Sequence, residues 1–376
     1  MREWLSAVAR LAAAAEGAID EFRYPAGQPL TGAAHVVPYR GFGTAASVWV
    51  TGRVLRDPPP PPSTATESAW NNLLATFARI ESDEVPGARV RLSFGGTTRE
   101  AVANDEGFFE ATIPLAGVLA PDKSWHEVAA ELLQPPPQGA PAIGIMPVLI
   151  PRPTASFGVI SDIDDTVLQT DVMDILRMAR HMFLGNARTR LPFPGVAALY
   201  RSLVNGPGGS AGNPIFYVSS SPWNLYELLV EFFELQKIPL GPLMLRDWGL
   251  DPEQLLPTRH HDHKLAAIRR VMNAYPALPF VLIGDSGQAD PEIYAAAVRE
   301  YPGRIRAAYI RSIDRSDERI SAIRTLATEV AKANSVLLLA DDTIAIARDA
   351  AERGWITAES LVEIGADKVA DATAAG

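Results

Sequence analysis

A chain of 376 residues, 47% of them apolar and 21% charged, has the makeup of a folded, water-soluble protein of two or three domains. Lys and Arg number 34 against 44 Asp and Glu, and the net charge of −10 excludes an overall field that would draw the chain to nucleic acid or anionic lipid. Cysteine is absent, which excludes disulfides, thiolate metal sites and cysteine nucleophiles; a metal would need oxygen or imidazole ligands.

In chain order, residues 1–32 form the first unit. Trp4, Leu5, Val8, Leu11, Ala12 and Ala15 recur at helical spacing, and the early charges Arg2 and Glu3 do not suit a signal peptide. No run reaches the ~18 apolar residues of a membrane span, so a cytoplasmic location is expected. Residues 33–153 read as a β-rich, sandwich-like domain. Its strands are expected over residues 46–55, in a hairpin of 89–94 and 97–102 about Gly95-Gly96, and over 108–113 after the turn Asn104-Asp105-Glu106-Gly107. The prolines 58–62 predict a stiff exposed spacer, followed by a helix over 68–80. Prolines punctuating residues 146–153 place a boundary near Thr154.

From there to residue 315, apolar runs alternate with helical patterns. Strands are predicted at 157–160, 215–218, 243–245, 280–283 and 305–310. Helices are predicted after Asp171, over 222–235, over 264–275 and from Pro291. Such βα alternation predicts a Rossmann-like parallel sheet with helices on both faces and ligands beyond the carboxyl ends of its strands. Residues 316–376 form a helical tail around the apolar run 336–339, and Leu337 to Thr343 reads as a strand followed by a helix cap.

The polar residues cluster where that architecture needs them. Ser161-Asp162-Ile163-Asp164-Asp165-Thr166 follows the first apolar run, and three carboxylates in four positions require a cation or charged ligand to compensate them. Hard oxygen donors suit Mg²⁺. Ser219-Ser220-Ser221-Pro222 places hydroxyls and backbone N–H groups at a helix start, where anions bind. Lys264 opens the next predicted helix, and Gly284-Asp285 with Asp290 again sets carboxylates past a strand.

These four segments, in this order, resemble the signature of haloacid-dehalogenase-superfamily phosphatases. More narrowly, Ser161 to Thr166, Tyr217 to Leu225, Gly241 to Asp247, His263-Lys264 and Ile283 to Asp290 resemble the actin-patch-protein type of phosphatidate phosphatase, including its bacterial members. The resemblance covers about residues 156–314. It implies a haloacid-dehalogenase-type sheet and a Mg²⁺-dependent hydrolysis of phosphatidate to diacylglycerol. Asp162 would be the nucleophile that forms an aspartyl-phosphate, and Asp164 the acid that protonates the leaving oxygen and then activates water. Asp162, Asp164 through its backbone carbonyl, Asp285 and Asp290 would form the metal site, Asp290 orienting Lys264 or a metal-bound water, while Ser219 and Lys264 hold phosphoryl oxygens. Thr166, Ser220, Arg246, His263 and Arg311 are the further candidates for substrate contact.

Asp164 favours phosphate hydrolysis over dehalogenation, because dehalogenases of the superfamily lack that acid. Residues 171–213 and 219–264 leave no room for a full cap, which implies an open site suited to a large or interfacial substrate and a peripheral membrane contact. Two other readings stand beside this one: the same chemistry on a phosphoprotein or soluble phosphomonoester, and a non-enzymatic lipid- or protein-binding module. The sequence leaves oligomeric state open.

Overall fold

The structure is a computed structural model that describes residues 33–56, 83–137, 141–164, 166–167, 193–246 and 257–375. The expected N-terminal helix, the proline spacer, the helix over 68–80, Asp165 and the helix after Asp171 lie outside the described residues. So do Asp247, most of the interval 171–213 on which the no-cap reading rests, and the side chains of His260 and His261.

The chain is α/β, with two sheets. The first contains β1 (Ala34–Pro38), β2 (Gly41–Gly43), β3 (Ser47–Arg56), β4 (Asp83–Glu84), β5 (Arg89–Phe94), β6 (Thr97–Val102), β7 (Phe108–Pro114), β8 (Trp125–Gln134) and β9 (Ile143–Leu149). All nine belong to one hydrogen-bonded network, antiparallel except where β2 meets β9. The hairpin β5–β6 has the predicted register, with Phe94 opposite Thr97. Its turn uses Gly95 and Gly96 at φ 53° and 81°, a backbone region that disfavours side chains.

The second sheet is wholly parallel, in the order β12-β11-β10-β13-β14-β15. Its strands are β10 (Gly158–Asp162), β11 (Ile215–Pro222), β12 (Leu243–Arg246), β13 (Phe280–Asp285), β14 (Ile305–Arg311) and β15 (Leu337–Ala340). The described helices are α1 (Val196–Asn205), α2 (Tyr226–Leu235), α3 (Pro257–Ala274), α4 (Asp290–Glu300), α5 (Asp317–Lys332), α6 (Thr343–Glu352) and α7 (Ala358–Ala375). Both faces of the sheet are covered, which explains why its strands read as continuous apolar runs rather than as alternation. Val159, Tyr217, Ile283 and Tyr309 face a core shared with α1, α2, α6 and α7. Their neighbours Ile160, Phe216, Leu282 and Ile310 face a second core shared with α3, α4 and α5.

One expectation changes. Helix α3 begins at Pro257, not at Lys264, so Lys264 sits in mid-helix. Proline is tolerated in the first turn, and the polar run His260-His261-Asp262-His263 continues the helix rather than forming a loop. The tail's expected strand is β15, which joins the parallel sheet, and the expected cap is Asp342, which accepts from the Ala345 N–H of α6 at 2.9 Å.

The β-rich region packs directly on the parallel sheet. Phe42 enters the core around Phe216 and Tyr275, with ring centroids 5.5 and 6.2 Å away. Tyr39 stacks on Trp223 at 4.4 Å, and the Arg40 N–H donates to the Tyr226 hydroxyl at 2.8 Å. Arg53, almost wholly buried, donates to the Glu106 carbonyl at 2.8 Å, to Asn224 Oδ1 at 2.9 Å and to Glu84 at 2.7 Å. Arg53→Met would leave these acceptors without their donor, and a loss of about 2–4 kcal/mol is expected in denaturant unfolding. A change below about 0.5 kcal/mol would mean that the contact is not structural.

Candidate active site

The site lies at the carboxyl edge of the parallel sheet, around its first strand in sequence. β10 is flanked by β11 and β13, so the chain leaves it to build neighbours on both sides, and a crevice opens where the strand order reverses. Register then decides which side chains meet. Asp162 pairs with Val218, which puts Ser219 just beyond it; Ser161 pairs with Ile283, which carries Asp285 past the same edge. Gly284 has a packing reason, because a Cβ there would collide with the Asp290 carboxylate and the Tyr294 hydroxyl.

Asp162, Lys264, Asp285 and Asp290 form a buried charge cluster. The Lys264 ammonium lies 2.9 Å from Asp162 Oδ1 and 2.7 Å from Asp290 Oδ1, with Gln288 Oε1 at 3.3 Å. Asp290 Oδ2 accepts the Asp285 N–H at 3.2 Å, while Asp285 Oδ1 accepts the N–H groups of Gly287 and Gln288 at 2.6 and 3.0 Å. Three carboxylates thus face one ammonium, so negative charge is in excess.

The electrostatics follow from that imbalance. Burial, opposed by Lys264 and reinforced by Asp290, pushes the Asp162 carboxyl well above the usual range. Burial and the Asp290 charge push Asp285 up to about 7. Burial alone would lower Lys264, but Asp162 and Asp290 raise it, so it stays protonated.

Asp162, Asp285 and Asp290 each present a carboxylate oxygen within 4.8 Å of the others. Asp162 Oδ2 and Asp285 Oδ2 are buried without a hydrogen-bond partner, and Asp162 Oδ1 has only its ion pair with Lys264. An all-oxygen, net-negative donor set with unsatisfied buried atoms fits a hard divalent cation. The Asp164 carboxylate stands apart from this group; the ligand expected from Asp164 is its backbone carbonyl.

Asp164 faces the serine loop instead. The Ser219 hydroxyl donates to its Oδ2 at 2.6 Å, and the Ser221 hydroxyl lies 3.1 and 3.2 Å from its two oxygens. The Ser221 N–H in turn donates to Ser219 Oγ at 2.8 Å. Burial raises the Asp164 pKa although both serines oppose the shift. The two carboxylates at the end of β10 therefore occupy different surroundings, Asp162 against an ammonium and Asp164 against hydroxyls.

Of the remaining sequence candidates, Thr166 is buried with its hydroxyl unpartnered, and Ser220 follows Ser219 on β11. Arg246 is buried at the end of β12. Burial and the nearby Arg246 charge lower His263 to about 4, which keeps the imidazole neutral. Arg311 stands opposite Asp285 in the β13–β14 register, but its guanidinium donates to Thr343 Oγ1 at 3.1 Å and covers the Phe193 ring at 4.1 Å. Among the described residues Arg311 makes no hydrogen bond or ion pair with the acidic cluster.

Sequence reasoning missed Gln288 as a partner of Lys264 and Ser221 as a partner of Asp164. Both lay inside the motifs, but side-chain direction in a turn or across the register shift near the end of β11 has no signature in residue type. Tyr200, whose hydroxyl meets Ser161 Oγ at 2.6 Å beneath Asp162, lay in an unmarked helical pattern.

Residues 157–312 match the family model described as "Phosphatidate phosphatase APP1, catalytic domain". The chain is 32% identical over 161 residues to Phosphatidate phosphatase APP1 of Saccharomyces cerevisiae, an alignment covering 43% of this chain and 26% of that protein. It is 30% identical over 161 residues to an uncharacterized protein of Schizosaccharomyces pombe, covering 42% and 25% respectively. The chain thus spans about a quarter of the length of these curated relatives. Among solved structures, a carbohydrate acetylesterase from Xanthomonas citri aligns over 79% of this chain and 74% of its own, at 11% identity and a TM-score of 0.24, too low to bear on the fold.

Proposed function

From the match of residues 157–312 to the family model of the phosphatidate phosphatase APP1 catalytic domain, we propose that this chain hydrolyses a phosphomonoester, phosphatidate above all, to an alcohol and phosphate. The observation that carries the reading is the buried cluster of Asp162, Lys264, Asp285 and Asp290 with Asp164 held beside it on the serine loop. The same constellation at the carboxyl edge of a parallel sheet supports a haloacid-dehalogenase-type fold. We retain the division into residues 1–32, a sandwich-like unit over 33–153, a phosphatase unit over 154–315 and a tail over 316–376.

In this mechanism an Asp162 oxygen attacks phosphorus, the bond to the leaving oxygen breaks, and an aspartyl-phosphate forms. Asp164, whose raised pKa favours the protonated form, gives its proton to the departing alkoxide. It then accepts a proton from the water that cleaves the aspartyl-phosphate and regenerates Asp162. Lys264, fixed by Asp290, neutralises charge on the phosphoryl oxygens, and rotation of the Ser219 hydroxyl away from Asp164 would offer it to the same group. Asp162, Asp285 and Asp290 would hold a Mg²⁺ ion, which supplies electrostatic stabilisation of the transferring phosphoryl group.

Among the described residues no helix is long and apolar enough to cross a membrane. The deciding experiment measures phosphate release from phosphatidate micelles, sugar phosphates, nucleotides and a phosphopeptide, each with Mg²⁺ or with EDTA. Release from phosphatidate that EDTA abolishes is expected. Full turnover of the soluble esters with none of phosphatidate would overturn the substrate, and no release from any would favour a binding module.

A further inference from the structure

The β-rich region and the parallel-sheet region together line an open-sided cleft of about 510 Å³. Trp49, Val102 and Phe108 line it from one side, and Trp223, Met244 and His263 from the other. A volume of this size is in the ~300–1,000 Å³ range of small-molecule sites.

Three features give the cleft a direction. His263, which lines the cleft, has the Met244 and Ser219 backbone and the Arg246 and Lys264 charges beside its ring, so this lining residue ties the cleft to the edge that carries the phosphate-holding residues. Trp223 follows the serine loop that carries Ser219 and Ser221, the two partners of Asp164. As the proposed acid, Asp164 must face the leaving group, and this loop connects it to the aromatic wall. The walls are also held in place without a ligand. Trp223 is stacked on Tyr39, Trp49 Nε1 donates to Glu110 at 3.2 Å, and Arg270 lies over the Trp49 ring at 4.5 Å while pairing with the same glutamate at 3.1 Å.

A preformed aromatic cleft that ends at a polar catalytic edge fits a molecule with an apolar body and an anionic head. We propose that this cleft receives the hydrocarbon portion of the substrate's leaving group, an acyl or alkyl chain, while the phosphate occupies the charge cluster. The β-rich region then contributes half of the substrate site. This rests on the phosphomonoesterase reading above for the placement of the head, but the binding of the chain can be measured apart from turnover.

The test uses non-hydrolysable ethyl-, butyl-, hexyl- and octylphosphonate, titrated by calorimetry into the full chain with Mg²⁺. Burying a methylene fully is worth about fourfold in affinity, and an open-sided cleft should give about twofold per added methylene. Ala266, an exposed α3 residue lining the cleft, is replaced by Trp to fill it, and Val102→Glu on β6 places a charge in the same wall. In both variants affinity should become independent of chain length, while ethylphosphonate binds as to the original chain. Thermal unfolding checks that each variant folds, and the second serves if the first does not. The absence of any chain-length gain in the unaltered protein, or its persistence in a folded variant, would overturn the cleft. Failure of the phosphatase reading is separate: it would show as no phosphate release from any ester, with or without a chain-length gain.

Discussion

Asp162→Asn should lower phosphate release on the order of a thousandfold or more, because an amide cannot act as the nucleophile that splits the reaction into two steps. The substitution keeps size and shape, and it removes one of three carboxylates facing a single ammonium. The metal-free variant should therefore unfold at the same temperature as the original chain or higher. This pairing of outcomes separates chemistry from folding. A variant that is folded and inactive supports the assignment, whereas retained turnover would exclude Asp162 as nucleophile whatever the rest of the site does. Loss of activity with a large fall in Tm would point to a structural role, contrary to the excess of negative charge around this carboxyl.

The second large effect concerns Asp285. In the metal-free protein its pKa is pushed up to about 7 by burial and the Asp290 charge, against about 3.9 for an unperturbed aspartate. Between these values the folded state keeps a proton that the unfolded chain has released. This group's contribution to stability is thus full below about pH 4 and is lost as pH rises through about 7, where the buried carboxyl must ionise. Asp285→Asn carries no such charge, and its Oδ1 can still accept from Gly287 and Gln288. Without metal, the variant should gain on the original chain as pH rises from 5 to 8, by about 1–3 kcal/mol at the upper end. Added Mg²⁺ should reverse the order, since it stabilises the chain that binds it in proportion to its occupancy. Urea unfolding at several pH values, with and without Mg²⁺, reads both effects. A pH-independent difference, or equal stabilisation of both proteins by Mg²⁺, would contradict the assignment of Asp285 to the metal.

Much of the site was legible because its elements are local. The apolar run Val281-Leu282-Ile283 ends where a parallel strand must end, and the polar residues after it can only stand at the sheet's edge. Gly95-Gly96 between alternating residues marked its hairpin for the same reason. Other elements conflict locally with their final state. Strand β8 contains Ala129-Ala130-Glu131-Leu132-Leu133, a run of helix formers, and its strand character is imposed by pairing with β5 and β9. Helix α3 reached back across a histidine-rich stretch that resembled a loop. The contacts of Tyr39, Phe42 and Arg53 with the parallel-sheet region join residues far apart in sequence, and no local pattern encodes them.

Phe42 sits in the aromatic core beside Phe216 and Tyr275, and β15 covers the outer side of β14. A fragment cut to residues 157–312 would therefore open a ring-sized void on one face and expose β14 as an unpaired edge, two recognised routes to aggregation and loosened packing. The stretch that carries the chemistry is shorter than the stretch that must fold for the chemistry to be held in place.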